Sequence, residues 1–188
     1  MSPDLVIGDD GQPRCPWGDA AGERDYHDTE WGRPVTDDTA LFERISLEAF
    51  QSGLSWSIIL RKRDNFRAAF AGFDPGVVAT FGPGDVDRLL ADAGIVRNRA
   101  KIEATIGNAR AVLDLDRPLG ELLWSFAPPP RPAPSRLADV PATTPESVAM
   151  ARTLKRAGLR FVGPTTAYAL MQAVGMVDDH LDGCSART

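Results

Sequence analysis

Apolar positions along this chain recur at helical spacing. In TDDTALFERISLEAFQS, the side chains of Leu41, Phe42, Ile45 and Ala49 fall on one face, the three-and-four spacing of a buried helical stripe. Thr36 or Asp37 can cap the start, so a helix is expected over 37–52, ended by Gly53. Ser55 can cap the next helix, whose apolar side carries Trp56, Ile59, Leu60 and Phe70. Asp74-Pro75 joins an N-cap to a proline at the first helical position. The same periodicity predicts helices near 84–92, 98–114, 118–126, 145–157 and 165–174. No stretch alternates convincingly with period two and no segment repeats, so the expected fold class is all-α.

Two departures from this pattern stand out. The stretch APPPRPAPSRLADVPATTP, 127–145, holds seven prolines. Their rings remove backbone donors and favour extended chain. A stiff surface connection between two helical halves is expected there, with a ligand for a proline-recognising domain as the alternative. The second departure is a carboxylate on an apolar stripe. Glu48 lies three residues after Ile45 and seven after Leu41, and a buried carboxylate is costly unless paired or used. Either an arginine partner or a functional role would account for it. Trp17, Tyr26, Trp31 and Trp56 lie near it in sequence. Singly each reads as core; together with a buried acid they could form a slot for a flat, electron-poor ring.

Length and composition add bounds. A chain of 188 residues, 43% hydrophobic and 25% charged, is long enough for one domain with a real core. No apolar run reaches the length of a membrane span, and MSPDLVIGDD lacks the basic and apolar regions of a signal peptide. A cytoplasmic location is therefore expected, where a disulfide would be unusual. The net charge of -5 argues against nucleic acid, but its distribution reverses that. Residues 1–40 hold ten acids against three arginines, leaving 18 basic and 16 acidic side chains in the remainder. Basic clusters lie at Arg61-Lys62-Arg63, at Arg97, Arg99, Lys101 and Arg110, and at Arg152, Lys155, Arg156 and Arg160. Each can be a solvated helix face or a local phosphate-binding face.

The chain has two cysteines and two histidines, all near its ends. Cys15 and His27 are twelve apart; His180 and Cys184 are four apart, on one side of a helical turn. Two thiolates and two imidazoles make a full tetrahedral zinc shell, structural because no position is left open for water. Spacing alone leaves inert buried residues as the alternative. The stretch LKRAGLRFVGPTTAYALMQAVG, 154–175, reads as helix, glycine turn, helix. Gly158 and Gly163 bracket the turn, Thr165 or Thr166 can cap the second helix, and Lys155, Arg156 and Arg160 supply charge. Such a turn can hold a DNA phosphate or be an ordinary αα-hairpin.

The blocks CPWG, YHDTEWG, LFERISLEAFQSGLSW, DAGIVRNRAKIEATIGNAR, LWSF, GLRFVGPTTAYALMQAVGMVDDH and the closing GC resemble the 3-methyladenine DNA glycosylase I family. They run in order over 14–184, leaving a 1–13 extension and a 185–188 tail outside the resemblance. The resemblance implies an all-α, helix-hairpin-helix DNA glycosylase fold. It further implies a structural zinc held by Cys15, His27, His180 and Cys184, joining the N- and C-terminal segments. The implied activity is hydrolysis of the N-glycosidic bond of 3-methyladenine in alkylated double-stranded DNA, without strand cleavage. The implied base pocket is Glu48, Tyr26, Trp17 and Trp56, with Trp31 beside them. Gln51, Gly53 and Leu54 match the region that fills the gap left by a flipped base, and Arg160, Phe161, Gly163 and Thr165 would face DNA. A monomer is expected, and neither Asp178 nor Asp179 receives a catalytic role. Ala49-Phe50, where the family varies, is the one departure close to the pocket. Two other readings remain: a DNA-binding module without excision, and a zinc-stapled protein whose aromatics are only core.

Overall fold

The computed structural model describes residues 1–187. Its helices are α1 (Arg24–Thr29), α2 (Asp38–Gln51), α3 (Trp56–Ala69), α4 (Pro75–Val78), α5 (Pro83–Ala91), α6 (Arg99–Leu113), α7 (Leu119–Trp124), α8 (Pro145–Arg156) and α9 (Pro164–Ala173). The expected helices form within a residue or two of their predicted bounds. Asp37 caps α2 by accepting from Ala40 N, and Asp74 accepts from Gly76 N and Val77 N at the start of α4, as N-cap chemistry requires. At α9 the cap is Gly163 with Pro164 following, and neither Thr165 nor Thr166 fills that role.

The all-α expectation needs one correction. Val6–Ile7 (β1) and Pro13–Arg14 (β2) pair antiparallel. Two residues per strand are too few to show alternation, so the sequence carried no period-two signal there.

Helix α2 runs through the core and packs on α3, α6, α7 and α9. Leu41, Phe42, Ile45, Leu47 and Phe50 are fully enclosed along it, each worth about 1.5–3 kcal/mol of apolar burial. Phe66 of α3, with Phe70 and Phe73 in the turn that follows it, extends the cluster, with ring centroids 4.7 Å apart for Phe50–Phe66 and 5.4 Å for Phe70–Phe73. The Asp38 carboxylate, in the first turn of α2, accepts from Leu119 N and Gly120 N and so pins the start of α7. The chain ends meet beside this core. Gly32 N donates to Gln172 O and Val35 N to Val174 O, tying the segment after α1 to the end of α9. Ser185 N donates to Pro13 O, which closes the N-terminal ribbon onto the C-terminal turn.

Candidate functional site

A cavity of about 420 Å³ opens where these termini meet α2, α3 and α9. Trp17 enters it from a 3-10 turn, Pro16–Asp19, and Tyr26 from α1. Trp31 follows α1, Glu48 and Gln51 come from α2, and Trp56 is the first residue of α3. Every pocket residue expected from the sequence therefore lines one space. The rings meet at angles: Trp17 and Trp31 have centroids 5.0 Å apart at 82°, and Tyr26 and Trp56 lie 5.2 Å apart at 48°. Such tilted contacts suit aromatic quadrupoles.

Glu48 is 5% exposed. No ion pair or hydrogen bond to its carboxylate exists among the described residues, so the arginine-partner reading of its burial does not hold. Arg44, one turn earlier, instead donates to Glu30 at 2.6 Å. Burial pushes the Glu48 carboxyl up to about 8, with the Arg44 charge only partly opposing it. The cavity thus presents a carboxyl whose ionised form lacks a protein partner.

Several contributors were not legible in the sequence. Ala169, Gln172, Asp179, Glu23, Leu137 and Val140 line the cavity too, beside Cys15. Leu137 and Val140 belong to the proline-rich segment, which is a surface connection that also walls the cavity. Arg131 anchors that wall: it donates to Asp179 at 2.5 Å and to the Tyr168 hydroxyl. Asp179, fully enclosed, also accepts from Tyr168 OH at 2.5 Å and Gln172 Nε2 at 2.9 Å. A glutamine inside the apolar run YALMQAV was the one available signal.

Below the cavity, ligand atoms of Cys15, His27 and Cys184 lie within 4.8 Å of one another, all buried. His180 stands beside this group, its ring centroid 4.8 Å from that of His27. Its Nε2 contacts the His27 carbonyl at 3.3 Å. The structure thus gathers three of the four expected ligands and leaves the fourth adjacent. Each imidazole turns Nδ1 to a carboxylate, His27 to Asp28 and His180 to Asp178, both at 2.7 Å. Asp28 is itself gripped by Arg14, at 2.8 Å. Gly18 permits the approach of the first loop, since a Cβ there would sit 2.3 Å from the His27 ring. Proximity to the Cys15 thiol favours the Cys184 thiolate, while the same contact and burial push the Cys15 thiol up.

The loop between α2 and α3 joins two cavity-lining residues, Gln51 at the end of α2 and Trp56 at the start of α3, with Leu54 37% exposed and Gly53 at φ +82°. Lys101 Nζ donates to Phe50 O and Ser52 O at its base. The hairpin between α8 and α9 is clamped by Asn108, which accepts from Arg160 N at 2.8 Å and donates to Arg160 O at 3.0 Å. Arg160, Gly163 and Thr165 are exposed on it. Phe161 is 40% exposed at φ +60°, a conformation that a bulky residue seldom adopts.

Comparisons with known proteins converge on one family. The methyladenine glycosylase family matches residues 17–188. The DNA-3-methyladenine glycosylase 1 of Escherichia coli is 48% identical over 164 residues, covering 85% of this chain and 88% of its own. The DNA-3-methyladenine glycosylase of Haemophilus influenzae is 43% identical, over 93% of this chain and 98% of its own. A 3-methyladenine DNA glycosylase I crystal structure superposes with TM-score 0.89 at 44% identity, covering 93% of this chain and all of its own. A family match over most of the sequence, near-complete relatives and a shared fold together mean that this chain belongs to the methyladenine glycosylase family.

Proposed function

We propose that this protein is a DNA-3-methyladenine glycosylase, hydrolysing the N-glycosidic bond of the methylated base and leaving an abasic site. The observation that carries this is Glu48, a buried carboxyl without a cationic partner inside an aromatic cavity. Methylation at N3 makes the base a cation and a good leaving group. A base turned out of the duplex would lie among Trp17, Tyr26, Trp31 and Trp56, whose ring faces attract cations. Glu48 accepts a hydrogen bond from the exocyclic amine, and its ionised form is stabilised by the positive ring. Neutral adenine gains little from the same contacts, which yields selectivity through charge. Water adds to C1′ as the C1′–N9 bond breaks; the bonding pair leaves with the base, which becomes neutral, and the water proton passes to solvent. Lys62 and Lys101 are held by backbone carbonyls, and Lys155 is exposed on α8. None lines the cavity, in keeping with hydrolysis free of strand cleavage.

Gln51, Gly53 and Leu54 would fill the gap left in the duplex. The α8–α9 unit would act as a helix-hairpin-helix, presenting Arg160, Phe161, Gly163 and Thr165 to phosphate and groove. A single chain acting in the cytoplasm is the proposed setting. Domain limits of 14–184 between a short extension and a tail belong to the same reading. Cys15, His27, Cys184 and His180 suit a structural zinc by donor chemistry: the Asp28 and Asp178 contacts take up each Nδ1, so His27 Nε2 and, on turning from the His27 carbonyl, His180 Nε2 would be the ligand atoms. Bound zinc would supply a crosslink between the chain ends and no chemistry at the sugar.

Release of free 3-methyladenine from methylated duplex DNA by the purified protein tests the function. The expected outcome is release with intact, alkali-labile strands; binding to methylated DNA without release would favour a non-catalytic module.

A further inference from the structure

Behind the aromatic wall lies a charged group made of Glu30, Arg44 and Arg63. Arg44 and Arg63 stack toward the Tyr26 ring, their guanidinium carbons 5.4 Å and 6.0 Å from its centroid. Neither lines the cavity, whereas Tyr26 does. Two positive charges so close to the pocket would oppose a cationic base, since Coulomb interactions at this range remain substantial in a partly buried setting. One residue counters both. Glu30 accepts from Arg63 at 2.7 Å and 2.8 Å through both carboxylate oxygens and from Arg44 at 2.6 Å. The two arginines hold the Glu30 carboxyl below its usual range against the opposing effect of burial, so it stays ionised. Arg44 Nη1 is buried without a hydrogen-bond partner among the described residues, so Glu30 is its principal compensation.

We propose that Glu30 determines the charge selectivity of the pocket by offsetting, with its one negative charge, the cations Arg44 and Arg63 behind Tyr26. The inference rests on the reading of the cavity as a site for a cationic base. Without Glu30, the ionised Glu48 faces two guanidinium charges, and the local sum turns positive. Glu30 is a specificity-determining residue that acts through its partners, and it need not touch substrate.

The test uses N-methylquinolinium and its uncharged isostere methylnaphthalene, with affinities read from tryptophan fluorescence at low salt. The wild-type protein is expected to prefer the cation. Glu30→Gln should reduce the cation-to-neutral affinity ratio by on the order of tenfold, leaving methylnaphthalene binding nearly unchanged. Glu30→Gln combined with Arg63→Met should recover most of the ratio, and Arg63→Met alone should raise it, so the charge account can be read even if Glu30→Gln folds poorly. Glu43→Gln serves as control, because it breaks the comparable α2–α3 bridge to Arg67 away from Tyr26; its ratio should match wild type. Equal weakening of both probes, an Arg63→Met ratio that does not rise, or no cation preference in the wild type overturns the proposal. Absence of 3-methyladenine release by the wild type would instead overturn the proposed function, while the probe ratio still reports the pocket charge.

Discussion

At the scale of single residues, Glu48 sets the pH behaviour. Its folded value near 8 lies above the ordinary 4.5, so the folded state holds the proton more tightly than the unfolded chain. Stability is therefore unaffected below about pH 4.5, falls as pH rises toward about 8, and then levels off, a linkage loss of several kcal/mol. Glu48→Gln removes this loss: thermal denaturation should show a gain of several kcal/mol near pH 9 and none near pH 4. The same variant should lose excision by roughly two to three orders of magnitude, because the carboxylate acts where the positive base is held. Wild-type affinity for a cationic probe should climb with pH up to about 8, while the variant stays flat. A variant that keeps full excision would remove Glu48 from the chemistry. This acid was legible because a carboxylate on an apolar stripe breaks a periodic pattern. Gln172 and Asp179 were not, since their roles depend on Arg131, 48 residues from Asp179 in sequence.

Among the elements, the long helices were legible because each buries one face over three or more turns. Helix α1 was not: it has six residues, of which only Tyr26 and His27 are buried, whereas the equally short α7 shows an apolar face through Leu119, Leu122 and Leu123. The proline-rich segment was half legible: composition excluded a helix, but nothing local revealed that Leu137 and Val140 would wall a cavity. The α2–α3 loop offers a prediction at this scale. Lys101 crosses from α6 to satisfy two carbonyls at the end of α2, where a cation also complements the helix dipole. Lys101→Met keeps the apolar stem but removes the donors, and should cost about 1–3 kcal/mol of stability. If the loop engages the duplex, excision from DNA should fall about tenfold while small-probe affinity stays within about twofold. Unchanged excision would show that the position of Leu54 does not matter to the flipped state.

For the whole molecule, closure depends on joining the two chain ends, which lie far apart in sequence and meet under the cavity. The counting of cysteines and histidines exposed this junction; the supporting charges became visible only in three dimensions. Asp10 and Asp28 both grip Arg14, at 2.6 Å and 2.8 Å, and Asp28 holds His27 Nδ1. The N-terminal ribbon thus orients a proposed zinc ligand from outside the set. Elemental analysis should find about one zinc per chain, and Cys184→Ala should lose it together with several degrees of thermal stability. Arg14→Leu leaves all four ligands in place but frees Asp28, and should weaken zinc retention against a chelator by about 10–100-fold. The order of effects is the discriminating observation. A junction held by apolar packing alone would tolerate chelation, and Arg14→Leu would then act on stability without changing metal content. A junction held by the metal couples the two, so zinc loss, melting and the collapse of the Trp17–Tyr26 wall should follow one chelator titration.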